Sequence, residues 1–206
     1  MFGWFAVDKK DFLLWSRKYD KDQGWIAQKE KELGARFRRT KVMTREDLAQ
    51  VVEWKFEDDE EKKNRVLELV SRNDEDSVAR VSSQVFSVPS NDDAYRLNCL
   101  TMLQGVSPVL ASVVLSFFDP KHYGVFDVYA WRALLGNESP NLFTTANYLR
   151  LLLALRKTAA KHNLEARTIE KALVKKKLDD PGAKERMQRK RIRVARKTKP
   201  HQTEKQ

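Results

Sequence analysis

The sequence predicts an all-α fold: a multi-helix domain followed by a basic C-terminal tail. Three observations predict it. Apolar residues recur at three- and four-residue intervals along most of the chain, and no convincing strand-period alternation or internal repeat accompanies them. Helix-start signals, a Ser, Thr or Asp ahead of an apolar run, punctuate the sequence. Only seven glycines and six prolines interrupt 206 residues, which suits a mainly helical chain.

The elements follow in order. Asp11 to Trp15 opens an apolar face that continues through Tyr19. The stretch Asp20 to Gly24 predicts a break, and Trp25 to Leu33 a second helical piece. Thr44 and Asp47 form a capping-box pattern, with Asp in place of the usual Glu. Leu48, Val51, Val52 and Phe56 follow at helical spacing, predicting a helix over about 45–56. The acidic run Glu57 to Glu61 reads as a turn and the start of the next helix, where carboxylates suit the helix dipole. Val66, Leu67, Leu69 and Val70 form the buried face of that helix. A further helix is expected over about 75–86, although its β-branched stretch from Val81 to Val88 also fits a strand. Ser90 and Asp93 are expected to cap the next helix, which carries Ala94, Leu97, Leu100 and Leu103.

Pro108 suits the first turn of a helix holding Leu110, Ala111, Val113, Val114, Leu115 and Phe117. That segment is apolar nearly all round and is expected to be the most buried helix. Asp119-Pro120 ends it, and Lys121 to Phe126 reads as a loop. Asp127 begins a helix running to about Leu135, and Gly136 to Pro140 form a turn. Helices are expected over 144–161 and about 165–178. Asp179-Asp180-Pro181-Gly182 marks the boundary between a helical domain, 1–180, and a tail, 181–206.

Charge is unevenly divided. Lys and Arg number 40 and Asp and Glu 29, a net +11. Residues 175–206 hold 13 basic and 4 acidic residues, leaving +2 for residues 1–174. The isoelectric point of about 9.7 is therefore largely a property of the tail, in which Lys190, Arg191 and Arg193 lie. Such a tail attracts polyanions by counterion release, without sequence specificity. Nucleic acid is the expected partner; a solvated tail with no fixed partner is the bland alternative. The tail lacks the Trp, Phe and Leu that would insert into a membrane. No apolar stretch approaches the length of a bilayer span, and the N-terminus has no basic region ahead of an apolar run. The single cysteine, Cys99, excludes an intramolecular disulfide framework and a Cys-ligated cluster. A cytoplasmic setting, with no obligate protein partner, is the default expectation.

The most informative segment is Leu103-Gln104-Gly105-Val106-Ser107-Pro108-Val109-Leu110-Ala111. It lies between two predicted helices, with a glycine in the tight turn. Backbone N–H groups at the start of the second helix, together with its dipole, can hold a phosphate, and Gly105 permits a positive φ and close backbone approach. An ordinary interhelical turn fits the same composition. Farther on, Val125-Phe126-Asp127-Val128-Tyr129-Ala130-Trp131-Arg132 places an acid at a helix start.

Together the two segments, within residues 90–135, resemble the helix-hairpin-helix superfamily of DNA glycosylases. That family carries Leu-x-Gly-Val-Gly-x-Lys-Thr-Ala, then an apolar helix, then Val-Asp-x-His-x-x-Arg. Leu103, Gly105, Val106 and Ala111 match the hairpin; Asp127 matches the catalytic aspartate and Arg132 the arginine after it. The resemblance implies duplex DNA as partner, with Gly105, Val106, Ser107 and Val109 on the phosphate backbone. It also implies N-glycosidic bond cleavage at Asp127, whose carboxylate would stabilise oxocarbenium-like charge or activate water. The base would first leave the stack.

Three positions depart from the pattern. Ser107 replaces the second glycine, and Tyr129 stands where many members carry histidine. Val109 stands where bifunctional members carry a nucleophilic lysine, so the hairpin offers no Schiff base and a monofunctional N-glycosylase is expected. No metal or cofactor is expected, since His122, His162 and His201 are scattered. The other role open to Asp127 is that of a helix cap alone, leaving a non-catalytic DNA- or RNA-binding protein or a helical interaction module with a polyanion-binding tail. Tyr123, Tyr129 and Trp131 offer either a stacking surface or core packing. Lys55, beside Trp54, is a minor candidate for a phosphate contact. Asp58 to Glu61 read as a solvated face.

Overall fold

The computed structural model describes residues 7–88, 92–136 and 141–180. They form ten α-helices and no strand: α1 (Lys9–Gln23), α2 (Trp25–Thr40), α3 (Arg45–Lys55), α4 (Glu60–Ser71), α5 (Glu75–Ser87), α6 (Asp93–Thr101), α7 (Pro108–Phe118), α8 (Val128–Leu135), α9 (Thr145–His162) and α10 (Ala166–Leu178). Local chemistry sets most of the boundaries. Thr44 accepts from Asp47 N while the Asp47 carboxylate accepts from Thr44 N, so the capping box is complete. Asp59, Asp74 and Thr144 cap α4, α5 and α9 in the same N-cap manner, each satisfying an otherwise orphaned donor.

Two expectations are corrected and one ambiguity is resolved in favour of the expected helix. The break after Tyr19 is a single residue: α1 runs to Gln23, Gly24 turns the chain at φ +49, and α2 continues past Leu33 to Thr40. The Val81–Val88 segment is helical up to Ser87, because Val78, Ser82, Val85 and Phe86 are buried at helical spacing. Asp92, not Asp93, caps α6. Asp93 is drawn instead into a bidentate pair with Arg156 of α9, at 2.6 and 2.9 Å. Ser90 lies outside the described residues.

Helix α7 is the hub. Every residue from Leu110 to Phe118 is buried, and the helix packs on α2, α3, α6 and α9. Its approach to α2 is close: a Cβ at Gly34 would stand 2.5 Å from Phe117 O. Arg38 then caps the end of α7, donating to Phe117 O at 2.7 Å. At the other side α1 lies along α10, and α10 also touches α8 and α9.

A charged cluster is buried where α1, α2 and α10 meet. Arg167 holds Glu30 in a fork, at 3.0 and 2.8 Å, and also pairs with Glu170. Lys171 bridges Asp20 and Glu30. Burial alone would raise the Glu30 pKa, but Arg167 and Lys171 outweigh it and hold the carboxyl below its usual range. Among the described residues no helix is long and apolar enough to cross a membrane.

Candidate nucleic-acid interface

The predicted hairpin is formed by α6, the turn 102–107 and α7. Gly105 adopts φ +81, a conformation that disfavours side chains. The close approach made there is internal. A Cβ on Gly105 would meet Leu69 Cβ at 3.0 Å, Val70 Cγ2 at 3.1 Å and Val66 O at 3.2 Å. Helix α4 thus lies directly against the turn. Asn73, buried just beyond α4, clamps it: its Oδ1 accepts from Gln104 N at 2.8 Å and its Nδ2 donates to Gln104 O at 3.0 Å. Asn73 had no signal in the sequence, since its partner is 31 residues away.

The donors of the turn divide sharply. Val106 N donates to Leu103 O at 3.1 Å, and the Val106 side chain is buried. This residue builds the turn and has no donor left for a phosphate. Leu110 N reaches the capping Ser107 Oγ, Ala111 N reaches Ser107 O, and Pro108 has no N–H. The N–H groups of Gly105, Ser107 and Val109 have no hydrogen-bond partner among the described residues. Three orphan donors thus follow one another at alternate residues where the helix dipole is positive. Met102, in the same turn, is 77% exposed.

Asp127 stands at the N-cap of α8. Its Oδ1 accepts from Tyr129 N at 2.7 Å, and no hydrogen bond engages Oδ2 among the described residues. The carboxylate is partly buried, and its charge acts on both Tyr19 of α1 and Lys55 of α3. A buried side chain connects the segment of this acid to the hairpin. Ser112 Oγ, fully buried in α7, donates to Val109 O at 2.6 Å and accepts from Phe126 N at 2.8 Å. The first turn of α7 and the residue preceding Asp127 are therefore tied together. A serine within a largely apolar helix was the available signal for this role, shared with Ser116, which bonds only its own helix at Val113 O.

The remaining candidates separate. Tyr123 and Trp131 are buried and cannot stack on a base. Trp131 packs beside Phe126, and Tyr123 donates to Asp93 Oδ1 at 2.7 Å. Burial and the Asp93 carboxylate push the Tyr123 pKa up to about 12. Tyr129 is partly buried, with the exposed Arg132 guanidinium 5.9 Å from its ring centre. His122 bonds Asp119 at 2.7 Å, and His162 packs edge-on against Phe12. Asp58 to Glu61 are exposed. Among the described residues no three His, Cys, Asp or Glu side chains are grouped to hold a metal. Lys190, Arg191 and Arg193 lie outside the described residues.

A cavity of about 200 Å³ opens between α1, α2, α7 and α10, lined in part by Asp20, Glu30, Arg38 and Arg167. Asp127 does not line it. Comparison with protein-family models, with curated proteins and with solved structures finds no match to this chain.

Proposed function

We propose that this protein binds duplex DNA through the α6–α7 hairpin and acts on the sugar of a damaged nucleotide through Asp127, in the manner of the helix-hairpin-helix DNA glycosylases its sequence resembles. One observation carries the reading. Three unpartnered backbone donors in the turn and the first residues of α7 are linked through Ser112 to the segment that presents a carboxylate with a free oxygen. The donors suit a phosphate oxygen. The free Oδ2 suits the positive charge that develops at C1′ as an N-glycosidic bond breaks. Arg132 lies one turn farther along α8, exposed and suited to a neighbouring phosphate.

A screen of duplexes bearing different damaged bases, with heat or alkali to reveal abasic sites, tests the reading. Base release is expected from at least one lesion. Asp127→Asn should cut single-turnover release by orders of magnitude while duplex binding persists. An asparagine caps a helix about as well as an aspartate, so stability should change by only about a few tenths of a kcal/mol.

A second reading is favoured by the cap that Asp127 makes to Tyr129 N and by the position of the cavity away from it. In that reading the protein binds duplex without cutting it. Tight binding with no base release from any lesion would establish it.

A further inference from the structure

The cavity between α1, α2, α7 and α10 has hydrogen-bond donors that the fold leaves unused. It opens where the first turn of α10 meets the end of α7. There Ala166 N donates to Lys121 O at 3.1 Å and Arg167 N to Pro120 O at 3.0 Å. The next donor, Thr168 N–H, has no hydrogen-bond partner among the described residues, and the Glu165 side chain does not cap the helix. Pro120, Glu165 and Thr168 all line the cavity. An orphan N–H at the positive end of a helix dipole suits a negatively charged oxygen.

An independent observation on the facing wall agrees. Ser16 of α1 lines the cavity and is 7% exposed. The helical serines Ser71, Ser112 and Ser116 turn their hydroxyls back onto their own helices, whereas the Ser16 hydroxyl makes no hydrogen bond among the described residues. Nor is it sealed inside the core, for among the described residues the fully enclosed side-chain atom without a partner is Arg96 Nε. The surface that Ser16 retains therefore lies in the cavity. A hydroxyl withdrawn from water without a partner is costly, and an occupant of the cavity that accepts from it removes that cost.

Arg38 supplies charge at the same place. Its Nη1 donates to Phe117 O at 2.7 Å, lying over Gly34, where a Cβ would stand 3.1 Å away. No hydrogen bond engages its Nε or Nη2 among the described residues. Of the other charges lining the cavity, Arg167 and Lys171 are occupied by Glu30 and Asp20. Lys31 and Arg38 are in no ion pair among the described residues, against one carboxylate in the same condition, Glu165. The excess is one positive charge plus the helix dipole, which matches a single carboxylate and disfavours a dianion. Glu165 and Asp20 Oδ2, which no hydrogen bond engages among the described residues, remain as acceptors. The volume of about 200 Å³ is somewhat more than the roughly 150 Å³ that admits benzene, so the occupant is small, and the lining requires it to be polar.

We propose that this cavity binds a small, singly charged hydroxy- or amino-carboxylic acid. Its carboxylate is held by Thr168, Ser16 and Arg38, and its O–H or N–H groups are received by Glu165 and Asp20. The site is separate from the hairpin and does not depend on the reading of Asp127.

Calorimetric titration of the full chain with glycine, L-serine, L-lactate and glycerate, one at a time, tests the proposal, with acetate and inorganic phosphate for comparison. At least one of the four acids is expected to bind, and to bind more tightly than acetate or phosphate. Ser16→Ala removes a hydroxyl that makes no hydrogen bond in the fold. It should leave the thermal midpoint unchanged and weaken that acid about tenfold. Arg38→Met should weaken it further; should that variant fail to fold, the Ser16→Ala titration decides alone. The proposal is overturned if none of the four acids binds at millimolar concentration, if inorganic phosphate binds more tightly than all of them, or if Ser16→Ala binds as the wild type does.

Discussion

Gly105 has two reasons to be glycine, and they act on different observables. Its positive φ and the contact with Leu69 and Val66 mean that Gly105→Val must strain the backbone and push α4 away. A loss of about 1–3 kcal/mol is expected, measured by denaturant unfolding, so reduced DNA binding by that variant would report the fold as much as the phosphate contact. Ser107 separates the two. Its φ of −80 is within the range proline adopts. Ser107→Ala removes the cap and keeps the N–H, whereas Ser107→Pro removes both. Ser107→Pro is expected to bind duplex several-fold more weakly than Ser107→Ala, in a protein lacking residues 183–206. Equal affinities would show that the Ser107 N–H touches no phosphate.

At the scale of elements, buried charge joins helices that the apolar pattern alone would leave in several arrangements. Arg167 of α10 is fully buried between Glu30 of α2 and Glu170. Removing it leaves Glu170 without a cation out of water and Glu30 with Lys171 alone, so Arg167→Met is expected to destabilise the protein by about 3–5 kcal/mol, read from the denaturant midpoint.

The same pairs set the acid limit. For Asp93, as for Glu30, burial raises the pKa but the paired cation outweighs it, Arg156 in this case, and both carboxyls end below their usual range. Their folded pKa values lie below the unfolded ones. The stability they contribute is therefore full above the unfolded carboxylate range of about 4, and is lost as pH falls through the folded values. Unfolding measured against pH should show this loss. Arg156→Gln should make it shallower, because Asp93 then titrates nearer its ordinary value.

For the whole molecule, the packing of α1 along α10 closes the chain upon itself, while the charge stays divided between a nearly neutral helical domain and a basic tail. Deleting residues 183–206 removes few hydrophobic residues, so the thermal midpoint should be retained. Non-specific duplex affinity should fall, and the slope of log affinity against log salt should become shallower by about 0.9 for each phosphate the tail no longer neutralises. An unchanged slope would show that the tail does not meet the polyanion.

What the sequence determined by itself was local. Helix positions, the Thr44–Asp47 capping box, the buried helix after Pro108 and the placement of Asp127 at a helix start all follow from periodicity and from hydrogen bonds spanning a few residues. Where two neighbouring residues could serve one local role, the tertiary structure chose. Asp92 and Asp93 could both cap α6, and Arg156 claimed Asp93. The single-residue break at Gly24 and the helical state of Val81–Ser87 were settled by which side chains the core accepted. Only the tertiary structure decided the long-range pairings: the Asn73 clamp across 31 residues, the Ser112 link across 14 and the Glu30–Arg167 pair across 137. No local pattern encodes such pairings, because each forms only after packing withdraws both groups from water and leaves them one another as partners.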